Sequence, residues 1–340
     1  MKSLIKVACV GAGYFSRFHT EAWQRIAETR LCGVCDVDHE RAKAVGAPVF
    51  TNLGEMLSEV APDILDIITP PATHVSVIEQ AIGQGVGLII CQKPFCENFA
   101  QAMAITDKAV QAEVTLLVHE NFRFQPWFRQ ARQQLDKQVL GSVLQAVFRL
   151  RTGDGQGPDA YLDRQPYFQT MKQLLIHETG VHYIDTFCYL FGEPTALYAD
   201  LRQLNPAIAG EDAGLVIFDF PGQIQAVFDG NRHLDFVADD TRLTFGEFVV
   251  EGTKATMTLY GDGRLVLREF GSRQERTLLD VQHRQGFAGD SVYALNRHVV
   301  DYLLHGTPLE NTAPQYLQIL RLEKLVYDSA SQGCKLAVTA

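Results

Sequence analysis

Two glycines directly after the first apolar strand constrain this chain more than any other feature of its sequence. Residues 7–16 read Val-Ala-Cys-Val-Gly-Ala-Gly-Tyr-Phe-Ser, which predicts a strand that turns into a helix. In such a turn the first glycine allows the sharp bend, and the second lets the backbone approach a diphosphate at the helix N-terminus. The last position of this dinucleotide fingerprint is Ser16, where glycine or alanine is usual. The pattern predicts a dinucleotide site formed by Gly11, Gly13, Tyr14 and Phe15.

Asp36 narrows the choice of dinucleotide. It lies about twenty residues beyond the glycines and ends the second strand, where a carboxylate accepts hydrogen bonds from ribose hydroxyls and repels a 2′-phosphate. The next residue is Val37, so this position offers no arginine to such a phosphate. An aspartate after a strand is also common as a turn or N-cap residue. Its spacing from Gly11 favours the ribose interpretation, and we expect NAD rather than NADP.

The alternation of elements changes partway along the chain. Apolar strands and amphipathic helices alternate up to about residue 120, which is typical of βαβ units and a parallel sheet. After Pro126 longer strands follow one another, and such a succession predicts a mainly antiparallel sheet. The expected strands of this part cover residues 142–151, 196–201, 213–220, 224–230, 241–251 and 255–260. Two helices, over residues 290–304 and 313–330, are expected to close the chain.

The chain has 340 residues, which exceeds one typical hydrophobic core, so two domains are expected. The predicted fold class is α/β. Residues 1–123 form a doubly wound parallel NAD-binding domain, and residues 124–340 form an α+β domain with a large, open, mainly antiparallel sheet. The C-terminal helix is free to pack back on the first domain.

The composition excludes several classes of partner. The chain carries 30 basic and 40 acidic residues, a net charge of -10, and such a surface repels nucleic acid and anionic membranes. The N-terminus lacks the features of a signal peptide, and no apolar run approaches the ~20 residues that span a bilayer, so we expect a cytoplasmic protein. Cys32 and Cys35 have C-x-x-C spacing, but a strand would point them to opposite faces, so we expect reduced thiols and no metal.

Three further motifs follow the predicted strands. Residues 69–74 read Thr-Pro-Pro-Ala-Thr-His, residues 91–94 read Cys-Gln-Lys-Pro, and residues 121–126 read Asn-Phe-Arg-Phe-Gln-Pro. Together with the glycine turn, they resemble the Gfo/Idh/MocA family, the relatives of glucose–fructose oxidoreductase and inositol dehydrogenase. The resemblance covers essentially the whole chain. It implies additional contacts to the cofactor from Thr69, Pro70, His74, Gln92, Lys93 and Asn121.

Lys93 matches the catalytic lysine of that family. A lysine at the carboxyl end of a parallel strand also points into the crevice where ligands bind, and could donate to a substrate hydroxyl. The alternative is a surface lysine whose stem covers Pro94. Gln92 departs from the usual glutamate. It can still bond a ribose hydroxyl, but it removes one negative charge beside Lys93.

Residues 176–185 read Ile-His-Glu-Thr-Gly-Val-His-Tyr-Ile-Asp and resemble the family's D-x-G-x-H-x-x-D helix. On an α-helix Glu178 and His182 share a face, so both can meet one substrate. His182 is the candidate general acid or base, since imidazole titrates near neutral pH, and Glu178 could orient it. Asp185 could polarise the imidazole. Alternatively, His182 is a core histidine and Asp185 a structural acid.

His177, Glu178 and His182 also suggest a zinc protease. That motif requires histidines four residues apart on a helix, with a glutamate between them. These two are five apart, roughly 140° away from a common face, so we expect no metal there.

Residues 164–167, Arg-Gln-Pro-Tyr, resemble the family segment that feeds the substrate pocket. The glycines that usually follow are replaced by residues 171–173, Met-Lys-Gln, which are bulkier and partly cationic, so we expect a sugar acid in preference to a neutral sugar. The residues expected to bind substrate are Lys93, Arg123, Arg164, Tyr167, Lys172, Glu178 and His182.

The predicted activity is NAD-dependent oxidation of a secondary alcohol on a sugar, sugar acid or cyclitol. One alternative is a redox-neutral glycosidase or isomerase that retains its NAD. Another, of a different class, is a regulatory protein that senses NAD without catalysis. Because the open sheet of the second domain needs cover, we expect a homodimer or homotetramer formed through it.

Overall fold

The computed structural model describes residues 4–281 and 286–338. The chain divides into two compact units. The first consists of residues Met1–Asn121 and Val292–Gln318, and the second of residues Phe122–Ser291 and Ile319–Ala340. The expected domain boundary between residues 123 and 124 stays a prediction.

The first unit contains a six-stranded parallel sheet. Its strands are β1 (Ile5–Val10), β2 (Thr29–Cys35), β3 (Val49–Phe50), β4 (Ile64–Ile67), β5 (Leu88–Gln92) and β6 (Thr115–His119). Their order is β3-β2-β1-β4-β5-β6, so the direction of winding reverses between β1 and β4. Ligands of open α/β sheets bind beyond the carboxyl ends of the strands at such a reversal. β4 and β5 are buried along their whole length, which agrees with a sheet covered on both faces.

Helices connect these strands. They are α1 (Ser16–Arg25), α2 (His39–Lys43), α3 (Leu53–Val60), α4 (Pro71–Gly83) and α5 (Phe99–Gln111). The sequence pattern predicts the first helix over residues 15–29, but α1 ends at Arg25, so this longer helix is wrong. Thr29 opens β2, and its hydroxyl donates to the backbone oxygen of Trp23 at 2.7 Å, which closes the helix end. β3 and α3 are not predicted by the sequence pattern.

The second unit contains a nine-stranded sheet. Its strands are β7 (Val143–Leu150), β8 (Ala196–Arg202), β9 (Ala213–Phe220), β10 (Ile224–Asn231), β11 (Gly246–Gly252), β12 (Ala255–Leu259), β13 (Leu265–Glu269), β14 (Glu275–Leu279) and β15 (Leu336–Ala337). Their order is β14-β13-β12-β11-β7-β10-β9-β8-β15. β7 and β10 are parallel neighbours, whereas the other pairings among the described strands are antiparallel. The expected fold class is confirmed.

The later helices of the chain are α6 (Pro126–Asp136), α7 (Val181–Phe191), α8 (Thr241–Thr244), α9 (Ser291–His305) and α10 (Ala313–Gln332). The expected strand over residues 241–251 is therefore wrong in its first half. The Asp240 side chain accepts from the backbone N–H of Arg242, which caps a short helix, and β11 begins only at Gly246.

α7 packs on the inner face of the nine-stranded sheet. The ring of Tyr183 stacks on Phe148 of β7 at 3.9 Å and on Phe228 of β10 at 5.3 Å, and Phe187 lies 6.2 Å from Phe248 of β11. This aromatic layer fixes the helix that carries His182. Across the described residues, no helix is both long and apolar enough to cross a membrane.

Candidate active site

The two glycines of the first turn are required for different reasons. Gly11 has a φ of +99°, and a Cβ there would lie 2.7 Å from the backbone oxygen of Ile68, so only glycine fits the fold. A Cβ on Gly13 would meet no atom within 4 Å, so the space beside this residue is open to a ligand. Ser16 opens α1, and its hydroxyl donates to the Gly13 oxygen at 2.7 Å. The turn therefore accommodates Ser16 and still presents an open backbone to a diphosphate.

Asp36 lies beside that turn. Its Oδ2 accepts from the backbone N–H of Ala12 at 2.6 Å, and its Oδ1 accepts from that of Asp38 at 2.8 Å. Asp38 in turn caps α2 and pairs with Arg41 at 3.1 Å. The carboxylate is thus held at the carboxyl end of β2, where the ribose of a dinucleotide is bound in folds of this kind. The open turn and the acidic strand end together fit NAD.

The segment after β4 is braced from within the unit. His74 is fully buried, and its ring nitrogens face the backbone oxygens of Thr69 at 2.7 Å and Phe95 at 3.0 Å. Burial lowers the pKa of His74, and the carbonyl contacts oppose that shift. The structure therefore has His74 joining the loops after β4 and β5, and its contact with a cofactor stays a prediction. Pro70 is exposed and immediately precedes α4.

β5 ends at the Gln92-Lys93 pair. Gln92 is buried, and its Oε1 accepts from the backbone N–H of Lys93 at 2.7 Å, while its Nε2 lies 2.9 Å from His19 Nε2. Lys93 is half-buried, and the Lys93–Pro94 peptide bond is cis. The amide of Gln92 is thus engaged inside the protein. Its expected bond to a ribose hydroxyl stays a prediction.

A buried polar group that the sequence analysis missed lies behind this strand end. Asp66 of β4 is fully buried and its Oδ2 accepts from Trp23 Nε1 at 2.7 Å and faces His19 Nδ1 at 2.8 Å. Burial acts to raise the pKa of Asp66, but His19 and the bond from Trp23 outweigh it, so the pKa is lowered. The ring of His119 lies 4.1 Å from that of His19. Burial, with the neighbouring His19, lowers the pKa of His119 to about 3.

In the second unit, the segment with Glu178 is a π-helical turn, Leu175–Gly180, and α7 follows it. The expectation that Glu178 and His182 share one face of a regular α-helix is therefore corrected. The turn forms because its first N–H groups have partners outside the helix. The N–H of Ile176 donates to Glu211 Oε1 and that of His177 to the Tyr327 hydroxyl, each at 3.1 Å. Such π turns are often found at functional sites.

His182 is buried by ring stacking. Its imidazole lies on the ring of Phe122 at 3.8 Å, and the two planes differ by 4°. Asp185 lies on the same helix, and Arg123 donates to its buried carboxylate through two hydrogen bonds of 2.8 and 2.6 Å. Arg123 is thus one partner of Asp185 in the structure. The expected substrate contact of Arg123 stays a prediction.

A second charged group, also missed, follows the ends of the parallel strands β7 and β10. Arg232 donates to the Tyr161 hydroxyl at 2.7 Å and to Thr179 of the π turn at 2.8 Å, and pairs with Asp154 at 3.4 Å. Arg164 approaches the same carboxylate at 3.1 Å. Burial acts to raise the pKa of Asp154, but the two arginines and the Thr152 hydroxyl lower it overall.

Tyr167, Glu178 and Lys172 are the other expected substrate residues of this unit. Burial and then the carboxylate of Glu178 raise the pKa of Tyr167 to about 12. Lys172 is exposed. His177 Nδ1 pairs with Glu323 at 2.5 Å. Among residues 4–281 and 286–338, no group of three or more His, Cys, Asp or Glu side chains is arranged to hold a metal ion.

Within the first unit the structure thus brings Gly11, Gly13, Asp36, Thr69, Gln92 and Lys93 to one edge of the parallel sheet. Asn121 is buried at the end of the same unit, and Tyr14 and Phe15 belong to the glycine turn. Glu178, Tyr167 and Arg164 belong to the second unit, as do His182 and Arg123.

Comparison with known proteins agrees with this geometry. Residues 5–120 match the model of the oxidoreductase family with an NAD-binding Rossmann fold, and residues 128–258 match that of the GFO/IDH/MocA C-terminal domain. D-apiose dehydrogenase of Paraburkholderia graminis is 30% identical over 342 residues, covering 96% of this chain and 88% of that protein.

Two solved structures share the fold. An oxidoreductase from Agrobacterium radiobacter in complex with NAD+, L-tartaric acid and magnesium superposes with a TM-score of 0.87 at 24% identity, covering 98% of each chain. Levoglucosan dehydrogenase in complex with NADH and levoglucosan gives 0.84 at 16% identity, covering 99% of this chain and 100% of that one. The chain belongs to the Gfo/Idh/MocA family of NAD-binding oxidoreductases.

Proposed function

We propose that this chain oxidises a secondary alcohol of a sugar, sugar acid or cyclitol with NAD. The observation that carries the proposal is Lys93, a half-buried lysine at the carboxyl end of β5 in the family's catalytic position. Similarity to D-apiose dehydrogenase along almost the whole chain supports a sugar as substrate. When bound, NAD accepts the hydride.

Different residues of the first unit bind different parts of the cofactor. The open backbone at Gly13 binds the diphosphate, and the carboxylate of Asp36 accepts from the ribose hydroxyls. Val37 follows Asp36 and offers no guanidinium to a 2′-phosphate, which supports NAD over NADP. The preference for NAD over NADP is tested by comparing the turnover that the two cofactors support at equal concentration.

The proton of the oxidised hydroxyl is assigned to Lys93 and His182. Lys93 Nζ hydrogen-bonds the hydroxyl group whose proton is removed, and His182 relays that proton as general acid or base. Glu178 holds a neighbouring hydroxyl. The stacking of His182 on Phe122 supports this role, because it fixes the plane of the imidazole ring.

Substrate charge separates two versions of the proposal. Lys172 is exposed and favours an acid, whereas Arg123 and Arg164 each already face a carboxylate. A panel of D-apiose, other neutral aldoses, aldonates and inositols, followed by NADH fluorescence, decides between them. Neutral sugars that surpass aldonates by a wide margin would exclude the sugar-acid version.

The role of Lys93 is tested by Lys93→Met, with Lys137→Met at an exposed position as the matched control. We expect Lys93→Met to bind NADH normally and to lose most turnover, on the order of 100-fold, while the control keeps it. Near-normal rates in Lys93→Met would refute the assignment. Turnover without NADH release would indicate a redox-neutral reaction instead, and NADH binding without turnover of the panel would indicate a sensor.

Self-association through the nine-stranded sheet is part of the proposal. On its outer face Ile217, Val227, Val147 and Val249 lie in register on adjacent strands and form a half-buried apolar stripe. A contiguous stripe of this kind is typical of an interface. Light scattering of the wild type and of a Val147→Lys variant would show whether this stripe holds a dimer or tetramer together.

A further inference from the structure

A chain of buried hydrogen bonds runs from the interior of the first unit to the backbone of Lys93. Asp66 Oδ2 faces His19 Nδ1 at 2.8 Å, His19 Nε2 faces Gln92 Nε2 at 2.9 Å, and Gln92 Oε1 accepts from the Lys93 N–H at 2.7 Å. Asp66 and His19 are fully buried, and Gln92 is 8% exposed. Polar groups this deep are costly unless their partners are complementary.

The donors and acceptors in this series of hydrogen bonds can be assigned in only one way. The Lys93 N–H can only donate, so the amide oxygen of Gln92 faces it and the NH₂ group faces His19. His19 Nε2 must therefore accept, which leaves its proton on Nδ1, directed at the carboxylate of Asp66. Trp23 Nε1 donates to the same Asp66 oxygen at 2.7 Å and holds the carboxylate from a second side. Each member thus fixes the orientation of the next.

The series of hydrogen bonds ends at Lys93, where the backbone leaves the parallel sheet. Gln92 is the last residue of β5 paired with β6, through His119. The next N–H, that of Lys93, is held by the Gln92 side chain. The orientation of the lysine that leaves the sheet edge is therefore coupled to a side-chain amide, and through it to His19.

We propose that Asp66, His19 and Gln92 are positioning residues that hold the backbone of Lys93 in the orientation needed for proton transfer. The proposal rests on the function proposed above, in which Lys93 handles the hydroxyl proton. None of the three residues touches the reacting atoms. Their effect is on turnover, since a displaced catalytic group lowers the rate without removing cofactor affinity.

Two substitutions of His19 separate positioning from filling of the core. His19→Gln places an amide where Nε2 stood and can still accept from Gln92, whereas His19→Asn places its amide where Nδ1 stood and keeps only the contact with Asp66. Both remove the ring and both are neutral. Asparagine is one methylene shorter and leaves the larger gap, so if His19 only fills space, His19→Asn loses stability while its Lys93 amide exchanges no faster than the neighbouring amides of β5.

The first measurement needs neither cofactor nor substrate. Hydrogen exchange of the Lys93 amide, resolved by overlapping peptides, is expected to be about ten-fold faster in His19→Asn than in His19→Gln, because only the first releases the Gln92 clamp. The second measurement is turnover at saturating NAD on the best substrate of the panel. We expect kcat about ten-fold lower in His19→Asn than in His19→Gln, with NADH affinity and KM within two-fold of each other.

Equal exchange and equal kcat in the two variants would overturn the proposal. If either His19 variant fails to fold, Gln92→Leu and Gln92→Glu form a second pair, of which only glutamate keeps an acceptor for the Lys93 N–H. Faster Lys93 exchange and lower kcat in Gln92→Leu than in Gln92→Glu support the proposal, and equality of the two overturns it. Lys93→Met in parallel separates this inference from the proposed function, since full turnover in that variant removes the role of Lys93 itself.

Discussion

Both units place polar side chains just beyond the carboxyl ends of parallel strands, but they hold them by different means. In the first unit, Asp36 is held by backbone N–H groups of the adjacent glycine turn and of its own loop. In the second unit, Asp154 follows β7 and is held by the guanidinium groups of Arg232 and Arg164. The first edge depends on backbone geometry and the second on charged side chains from distant parts of the chain.

This difference agrees with what we propose for the two edges, namely the cofactor at the first and substrate groups at the second. A dinucleotide has the same diphosphate and ribose in every relative, so a fixed backbone suffices to recognise it. Substrates within one family differ in their hydroxyl and carboxylate groups, and long side chains can be exchanged without altering the sheet. We therefore expect the edge at the glycine turn to tolerate little change of backbone, and the edge at Asp154 to tolerate exchanges of side chains that keep its charges balanced.

The largest expected effect tests the backbone side of this comparison. Gly11→Ala adds a Cβ 2.7 Å from the Ile68 oxygen at a φ of +99°, and we expect it to destabilise the fold by about 4 kcal/mol. Gly13→Ala adds a Cβ into open space, so thermal stability should be unchanged while NADH affinity falls. Denaturation midpoints and NADH titration of both variants check the pair. Equal stability losses would show that the two glycines have the same role.

The next largest effect tests the charged side. Arg232→Met removes the guanidinium that joins Asp154, Tyr161 and Thr179, and it leaves Asp154 with Arg164. Breaking a buried pair costs about 3–5 kcal/mol, and the partial exposure of Asp154 reduces this to about 3 kcal/mol. Urea denaturation measures the loss, and NADH affinity serves as the control. If NADH affinity falls as much as stability, the charged group around Asp154 also affects cofactor binding, which would contradict the comparison.

The two edges also differ in how far the sequence predicts them. Gly11 and Asp36 could be recognised because they lie at fixed spacing within one βαβ unit. Asp154 and Arg232 are 78 residues apart, and they meet because β7 and β10 are parallel neighbours in a sheet whose succession of strands indicated antiparallel pairing. A topology of that kind is set by the packing of the whole sheet.

Two other features show what was and was not accessible from the sequence. Asp66 can be recognised from the sequence, because a carboxylate inside the otherwise apolar strand Ile64–Ile67 requires a buried partner. The π turn over Leu175–Gly180 cannot be recognised in this way. It depends on Glu211 and Tyr327, and Tyr327 lies 150 residues from the His177 N–H that it caps.

A pH titration separates the two regions by a smaller effect. His119 has a folded pKa of about 3 against an unfolded value of ~6.5, so the unfolded state binds more protons between these pH values. The contribution of His119 to the free energy of unfolding is therefore complete above pH ~6.5 and is lost as the pH falls towards 3. Between pH 6.5 and 5 the free energy of unfolding falls by about 1.5 kcal/mol. The pKa of Asp154 is also lowered in the folded protein. Because the pKa of an unfolded aspartate is ~3.9, protonation of Asp154 lowers the free energy of unfolding only below about that pH.

The variant His119→Gln tests this assignment, because glutamine can keep the contact that His119 Nε2 makes with Asn296 and cannot titrate. We expect its stability to vary less between pH 6.5 and 5 than that of the wild type, measured by urea denaturation at each pH. Arg232→Met is the control and should keep the wild-type slope in this range. A wild-type slope in His119→Gln would assign the acid sensitivity to another group.

The smallest effect concerns His182, whose imidazole stacks on the ring of Phe122. Phe122→Leu removes the stacked partner at 3.8 Å, and aromatic pairs are worth about 0.5–1.5 kcal/mol beyond the buried area. Leucine preserves much of the apolar volume, so we expect a stability loss of about 1 kcal/mol and a kcat several-fold lower, with NADH affinity unchanged. Phe245→Leu, which removes a ring that contacts Phe122 at 5.2 Å, is the matched control for aromatic loss in the same cluster. A fall of kcat in Phe122→Leu alone would show that the plane of His182 matters for catalysis, whereas equal falls in both would mean that the cluster acts only through stability.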